Sequence, residues 1–282
     1  MGTSFERVGI WGVGLIGGSL GMAIKRAAPE THVLGLGRDA ARLRRAREMG
    51  AIDAFELDGL RVLRDCDLII LATPIEHILL ALESLGNHLA QGAVVTDAGS
   101  TKRRICSLAW DRLPSTVEFI GGHPVAGREV TGVENSLATL FEKAPYVLCP
   151  GPRSVPGNLS RLRSLVGLLG ARPVIMTPED HDRAIARVSH LPQLLSTVLA
   201  NFTDVRDTEI AGSGLRDMLR LAGSSYSVWK GIFDTNPDNI DLALEDFVRY
   251  LQTIRDAMRD GSLSAHFENA QACYRKIKPS NP

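Results

Sequence analysis

Residues 8–20 read VGIWGVGLIGGSL, an apolar run, a glycine turn and the start of a helical pattern. Val8–Trp11 reads as a buried strand and Leu15–Ala28 as a helix. Between them Gly12, Gly14 and Gly17 fall in the spacing G-x-G-x-x-G. The first glycine allows a tight turn, the second leaves room for a pyrophosphate, and the third lets helix and strand touch. Exposed N–H groups at the helix N-terminus, favoured by its dipole, would hold the phosphates. Gly12, Val13, Gly14, Leu15, Ile16 and Gly17 are therefore candidate cofactor residues. Three spaced glycines alone are a weak signal, but inside a strand–helix–strand unit they predict a dinucleotide site.

Outward from this unit the alternation continues. Strands are expected at Val33–Leu36, Leu68–Ala72, Ala93–Thr96, Glu118–Gly121, Tyr146–Cys149 and Pro173–Met176. Amphipathic stretches such as Ala40–Met49, Ile75–Leu89 and Leu159–Leu169 lie between them. Such alternation predicts an α/β region, a parallel sheet with helices on both faces. After Met176 the rhythm changes. Thr177 followed by Pro178, Glu179 and Asp180 is a helix start, with an N-cap, a proline in the first turn and acids against the dipole. Helical patterns then run through Arg183–Phe202, Leu215–Leu221, Ser225–Thr235, Asp241–Asp260 and Ser264–Lys276, with no strand expected. The expected division is a sheet domain over residues 1–177 and an all-helical domain over 178–282.

Composition narrows the function classes. A length of 282 residues suits two domains at about 150 residues each. Lys plus Arg and Asp plus Glu are both 32, which argues against nucleic acid or an anionic membrane as a partner. No apolar run reaches the ~18 residues that span a bilayer. The N-terminal stretch carries Glu6 and Arg7 and no small-residue cleavage pattern, so no signal peptide is expected. The four cysteines lack both C-x-x-C pairing and zinc spacing, so no metal site is expected. They read as buried, reduced thiols of a cytoplasmic protein.

In an open α/β sheet the ligand lies beyond the carboxyl ends of the strands. The acid that usually binds the ribose 2′-hydroxyl is missing after the second strand, where Gly37, Arg38 and Asp39 stand instead. Gly37 leaves space for a 2′-phosphate and the Arg38 guanidinium can pair with it, which points to NADP as the preferred cofactor with NAD possible. A solvated Arg38 on a basic helix face is the alternative. Ala72, Thr73 and Pro74 end one strand, where Thr73 either touches cofactor or caps a helix. Asp97 ends the next and is a further cofactor candidate, while Ser100 behind it is either an N-cap or a catalytic group. His123, in GGHPVAG (121–127), is pinned by glycines and a proline where cofactor and substrate would meet. In the helical half, Pro192 cannot donate to the Val188 carbonyl, so a bend is expected near His190, itself either a core or a site histidine. Asp217 and Arg220 are three apart on one helical face, forming either an anion site or a surface ion pair.

Taken together, GVGLIGGSL (12–20), TDAGSTK (96–102), GGHPVAG (121–127), TPEDHDRAIARVSHLP (177–192) and GLRDMLRLA (214–222) resemble the prephenate/arogenate dehydrogenase family of tyrosine biosynthesis. Trp229 falls in that family's downstream tryptophan position. The resemblance implies a Rossmann-type parallel sheet domain that binds cofactor, followed by an all-helical dimerisation domain that makes a homodimer. It implies oxidative decarboxylation of prephenate to 4-hydroxyphenylpyruvate with hydride transfer to NAD(P)+. On this chain it implies that His123, helped by Ser100, takes the proton of the substrate's ring hydroxyl. It implies that Arg220 binds a carboxylate and that His190 binds substrate.

The chain departs from the family's usual pattern in two places. Arg128 and Glu129 stand where Thr-Glu is common after the His-Pro segment, and Gln193 stands where His-Leu-Pro-His is common. Both lie near the expected place of the substrate side chain, so Arg128 and Glu129 join Asp217 as candidate substrate residues. Arg128 suits a pyruvyl carboxylate better than an ammonium, which favours prephenate over arogenate. Another β-hydroxyacid-type dehydrogenase is the second enzyme reading, although such enzymes commonly carry a catalytic lysine in the helical half. A nucleotide-sensing binding protein is the non-enzyme reading, and it would not need His123, Ser100 and Arg220 together. The chain's end soon after its last helix leads to the expectation that any tyrosine inhibition is competition at the active site.

Overall fold

The computed structural model describes residues 5–57, 59–128 and 130–277. In chain order its sheet half comprises β1 (Arg7–Trp11), α1 (Leu15–Ala27), β2 (His32–Gly37), α2 (Ala40–Glu48), β3 (Ala54–Leu57), β4 (Leu68–Leu71) and α3 (Ile75–Ser84). It continues through β5 (Val94–Asp97), α4 (Arg103–Arg112), β6 (Glu118–Pro124), β7 (Pro145–Pro150), α5 (Pro156–Leu168) and β8 (Arg172–Ile175). The helical half follows with α6 (Pro178–Ile185), α7 (Leu191–Phe202), α8 (Ser213–Leu219), α9 (Tyr226–Thr235), α10 (Pro237–Asp260) and α11 (Leu263–Ile277).

The eight strands form one sheet in the order β3-β2-β1-β4-β5-β6-β7-β8. Strands β1 to β6 are parallel, and the order turns back on itself beside β1, opening a crevice where the glycine turn sits. Alternate residues of a strand face opposite sides, so β4 feeds two cores. Ile69 and Leu71 join Ile78, Leu82, Ile105 and Ala109 under α3 and α4. Leu68 and Ile70 join Leu20, Ile24, Leu162 and Val166 under α1 and α5. Each leucine, isoleucine or valine among them contributes ~1.5–3 kcal/mol on full burial.

The expected all-parallel sheet needs one correction. β7 runs antiparallel to β6, with His123 opposite Val147, and β8 runs parallel to β7. The described part of the segment from 125 to 144 holds a short 3-10 turn (Val133–Asn135) but no crossover helix, so the chain returns beside β6 in the opposite sense. β3 went unread in the sequence because its four residues, Ala54–Leu57, form a half-exposed edge with no clean alternation. Cys66, Cys106 and Cys149 are buried free thiols, and burial pushes the Cys66 thiol up to about 11. Cys273 on α11 is exposed, contrary to expectation, because no residue of that helix is buried.

The break near His190 takes a specific form. Residues Ala186–His190 make a π turn, in which the Leu191 N–H donates to the Ala186 carbonyl, and Pro192 sits in the first turn of α7. Proline removes a donor from the helical ladder, and widening the ladder by one residue absorbs the loss.

Candidate functional site

A groove of about 600 Å³ opens over the carboxyl ends of β1, β2 and β4. Gly12, Val13, Gly14, Arg38, Thr73 and Pro74 line it, with Gly37, Asp39 and Ala72 alongside. The three glycines differ in what a side chain would meet. Gly12 has φ +100° and a Cβ there would sit 2.8 Å from the Ala72 backbone. A Cβ at Gly17 would lie 2.0 Å from the Gly12 carbonyl oxygen, so helix and strand touch at that point. At Gly14 nothing lies within 4 Å, which leaves open space in the groove for a ligand to approach the backbone. α1 starts at Leu15 with Gly14 as N-cap and no side-chain cap, so the first-turn N–H groups of Leu15, Ile16 and Gly17 stay open to an anion. These residues fit a dinucleotide.

At the adenosine end of this groove, Asp39 caps α2, its Oδ1 accepting from the N–H groups of Ala41 (2.9 Å) and Arg42 (3.1 Å). Those backbone bonds hold its carboxyl below the ordinary value. Arg38 beside it is exposed.

Asp97 is not placed as a cofactor ligand. It is fully buried, and its carboxylate accepts from the N–H groups of Gly122 (3.0 Å) and Gly99 (2.9 Å) and from Lys102 Nζ. Lys102 Nζ, equally buried, also donates to the Gly122 carbonyl (2.7 Å). This pair fixes the β5–α4 loop against β6, and removing either partner alone costs about 3–5 kcal/mol. The loop carries Ser100, half-buried, whose hydroxyl bonds to no described residue. It is not the N-cap. α4 is capped instead by Asp182, whose carboxylate accepts from the N–H groups of Lys102 (2.7 Å) and Arg103 (2.9 Å).

His123 ends β6, 7% exposed, with Nδ1 2.8 Å from His181 Nε2. His181 Nδ1 lies 2.7 Å from Asp182 Oδ1. The protons in this chain follow from its end. Asp182 as a carboxylate only accepts, so His181 carries its proton on Nδ1 and offers Nε2 as acceptor. His123 then donates from Nδ1, which leaves its Nε2 lone pair available. Burial pushes His123 well below the ordinary 6.5, assisted by His181, Lys102 and His190, so the ring is neutral near pH 7.

Sequence reasoning assigned no role to Lys102, His181 or Asp182, although all three lie inside quoted motifs. The adjacent His181-Asp182 pair at the start of the first helix beyond the sheet was the available signal. Asp182 also joins the halves through those bonds to Lys102 and Arg103, and within the helical half Asn236 Nδ2 donates to its backbone carbonyl (2.8 Å). Thr101 and Thr235 (2.7 Å) and Arg103 and Asp238 (2.7 Å) complete the clasp.

His190 is fully buried at the end of the π turn, edge-on to Trp229, and neither ring nitrogen has a partner among the described residues. Burial pushes it down to about 4, against the pull of Asp182. Arg220 opens a 3-10 turn (Arg220–Gly223) that follows α8, and that turn is tied to α7 by Gln193 Nε2 donating to the Leu221 carbonyl (2.9 Å). Asp217 on α8 and Arg128 are exposed, the latter donating to the Asn135 carbonyl (3.3 Å). Glu129 lies outside the described residues. The structure thus joins His123 to the helical half through His181, while Asp217 and Arg128 stay on the surface.

Residues 20–175 match the nucleotide-binding domain of prephenate dehydrogenases, and residues 177–270 match their dimerization domain. The chain is 33% identical over 274 residues to the prephenate dehydrogenase of Bacillus subtilis (strain 168), covering 95% of this chain and 72% of that one. It is similar in structure to the arogenate dehydrogenase of Synechocystis, with TM-score 0.84, 31% identity and coverage of 96% of this chain and 100% of that one. It is also similar to the prephenate dehydrogenase of Aquifex aeolicus in complex with hydroxyphenyl propionate and NAD+ (A. aeolicus; TM-score 0.88, 27% identity, 98% and 99% covered). The glycine cradle and the histidine at the end of β6 thus lie in a chain matched along nearly its whole length, and this chain belongs to the prephenate dehydrogenase family.

Proposed function

We propose that this protein oxidatively decarboxylates prephenate to 4-hydroxyphenylpyruvate in tyrosine biosynthesis, using NADP+ in preference to NAD+. The observation that carries the reading is the Asp182–His181–His123 chain, which presents a neutral, proton-accepting Nε2 at the end of β6. The bound nicotinamide supplies the hydride acceptor. His123 Nε2 takes the proton of the ring hydroxyl as the carbinol C–H bond gives up its hydride, and a ketone forms. The ring–carboxylate bond then breaks, its electron pair enters the ring, carbon dioxide leaves, and the new phenolate recovers the proton from His123. Ser100 adds a hydrogen bond to the reacting oxygen. His190 and Arg220 hold the substrate, Arg220 at a carboxylate. Arg128 favours a pyruvyl carboxylate, and Glu129 and Asp217 carry over from the sequence reading as further candidates for the substrate side chain.

Cofactor preference rests on Gly37 and Arg38. A Cβ at Gly37 would meet only Leu43 side-chain atoms, the nearest at 3.6 Å, so packing does not demand glycine and its absence of side chain serves the groove. Asp39 is occupied as a cap, which leaves Arg38 to meet a 2′-phosphate.

The protein acts as a homodimer through its helical half, taken as residues 178–282 beside a cofactor domain of 1–177. Phe202, Val205 and Ile210 are 85%, 81% and 88% exposed, and Leu251, Phe267 and Ile277 are also exposed, a load of apolar surface that suits a second copy. The free buried thiols of Cys66, Cys106 and Cys149 suit a reducing, cytoplasmic setting. The test is cofactor reduction by purified protein. Reduction of NADP+ by prephenate is expected, and failure to reduce either cofactor with prephenate or arogenate overturns the reading.

A further inference from the structure

Cys106 on α4 and Cys149 on β7 are fully buried, carry free thiols and take no part in the chemistry at His123. They meet over Gly121 of β6. Gly121 pairs with Cys149 across the β6–β7 ladder, so both face the side of the sheet that α4 covers. A Cβ at Gly121 would lie 2.5 Å from Cys106 Sγ, 3.3 Å from Cys149 Cβ and 3.4 Å from Lys102 Cδ. The missing side chain of this glycine is thus the space that the Cys106 thiol fills. There the Cys106 thiol donates a hydrogen bond to the side chain of Cys149. The third buried thiol, Cys66, donates instead to the Val62 carbonyl (3.7 Å).

Two thiols in hydrogen-bond contact need little movement to become a disulfide, whose sulfurs stand about 2 Å apart. The pull of that shortening acts on a helix already tied down. The Cys106 N–H donates to the Lys102 carbonyl one turn back (2.8 Å). Lys102 Nζ holds the Gly122 carbonyl (2.7 Å) and the Asp97 carboxylate, and Asp182 holds the N–H groups of Lys102 and Arg103. Drawing α4 towards β7 therefore loads the contacts that set the backbone of Gly122, directly before His123. A close-packed core has little slack and passes such strain on.

We propose that Cys106 and Cys149 form a redox switch: a peroxide closes them into a disulfide that draws α4 towards β7 and slows the reaction at His123. One cysteine thiolate attacks a peroxide oxygen, the O–O bond breaks, and a sulfenic acid and hydroxide form. The second thiol attacks the sulfenic sulfur, the S–O bond breaks, and the hydroxyl leaves as water. Two thiols and one hydrogen peroxide give one disulfide and two waters, the sulfurs losing two electrons and the peroxide gaining them. Burial raises the Cys106 thiol well above its ordinary value, so little thiolate is present and the switch answers sustained rather than brief exposure. A dithiol reductant reverses it by exchange.

The experiment treats the full chain, with the exposed Cys273 replaced by serine, with hydrogen peroxide, then alkylates and digests it. Peptide mass spectrometry should find Cys106 joined to Cys149, and dithiothreitol should release them. On oxidation kcat with prephenate should fall about tenfold and recover on reduction, since a ~1 Å misplacement at a reacting centre costs up to about 10²-fold. Cys149→Ala should keep its rate through the same treatment. Absence of the linked peptide overturns the proposal, and so does a linked chain with unchanged kcat. Loss of activity that Cys149→Ala shares places the damage elsewhere and overturns it as well. The kcat arm rests on the prephenate reading, so a second readout needs no substrate. Trp110, one turn beyond Cys106 on α4, donates from Nε1 to the Phe119 carbonyl of β6 (3.2 Å), so its fluorescence reports the pull on the helix. That emission should change as the disulfide forms and return on reduction, and emission that stays fixed overturns the switch. A chain that forms the disulfide with that change yet oxidises neither prephenate nor arogenate supports the switch and sinks the prephenate reading alone.

Discussion

In the sheet half the buried charges of Asp97 and Lys102 meet each other and the backbone of Gly99 and Gly122, whereas in the helical half the buried His190 and Gln193 keep polar atoms without a protein partner. Apolar surface divides the same way. β4 and β5 are buried along their whole length, while α8 and α11 bury no residue at all. The sheet half therefore closes its apolar core and its buried ion pair within one chain, although His88 Nδ1 and Thr96 Oγ1 are buried there without a partner among the described residues. The helical half leaves polar gaps and apolar faces, which the proposed substrate and second copy would cover.

Four measurements press on that contrast, beginning with the residue that bridges the halves. His123→Asn should lower kcat by about 10²–10⁴-fold with cofactor affinity retained, because a general base is lost from an intact groove. His181→Phe should cost less, about 10–10²-fold, since it removes only the partner that fixes the His123 tautomer. His181→Gln can accept from His123 and donate to Asp182, so it should recover part of the rate. Normal turnover in the phenylalanine variant would mean that the helical half contributes nothing to the base.

The second measurement uses acid. His190 has its folded value lowered from 6.5 to about 4 by burial, and burial lowers His123 and His181 as well. A lowered folded value means that the unfolded chain takes up protons first as pH falls. The stability tied to neutral His190 is therefore complete above pH 6.5 and is lost progressively towards pH 4, amounting to about 3 kcal/mol. Thermal melts across that range should show Tm falling, and a flat profile would place His190 in a wetter setting. Over the same range kcat should outlast pH 6.5 on the acid side, because the His123 base stays unprotonated.

The third tests the self-sufficiency of the sheet half. Arg38→Ala should erase a ten- to hundredfold preference for NADP+ in kcat/KM while leaving turnover with NAD+ almost unchanged. A wild type faster with NAD+ would show Arg38 to be a solvated residue. The smallest effect belongs to single positions of the apolar faces. Phe202→Ser or Leu251→Ser should each raise the dimer dissociation constant about tenfold, read by light scattering across a dilution series. A wild-type monomer at micromolar concentration would break the contrast, since the exposed faces would then be stable alone.

Much of the site was legible in short patterns. Gly12, Gly14 and Gly17 were readable because each answers a local demand of the turn, and His123 because a histidine after a buried strand in a sheet of this kind falls at the ligand crevice. The helix start at Thr177 was readable from its cap, and Thr177 Oγ1 does accept from the Asp180 N–H (3.1 Å). Asp97 misled because an acid at a strand end looks the same whether it faces a ligand or a buried lysine. Ser100 read equally as a cap or a catalytic group, and the N-terminus of α4 takes its cap instead from Asp182, eighty residues on.

The sequence by itself determined the strand–helix alternation apart from β3, the glycine cradle, the missing acid at position 37 and the break ahead of Pro192, because each follows from residues within a few positions of one another. Tertiary structure alone decided the reverse run of β7, the burial of the Asp97–Lys102 pair and the alignment of Asp182, His181 and His123. The last sets the His123 tautomer on which the proposed chemistry rests. A histidine's tautomer is set by what its far nitrogen touches, and here that partner lies 58 residues away on a helix of the other half.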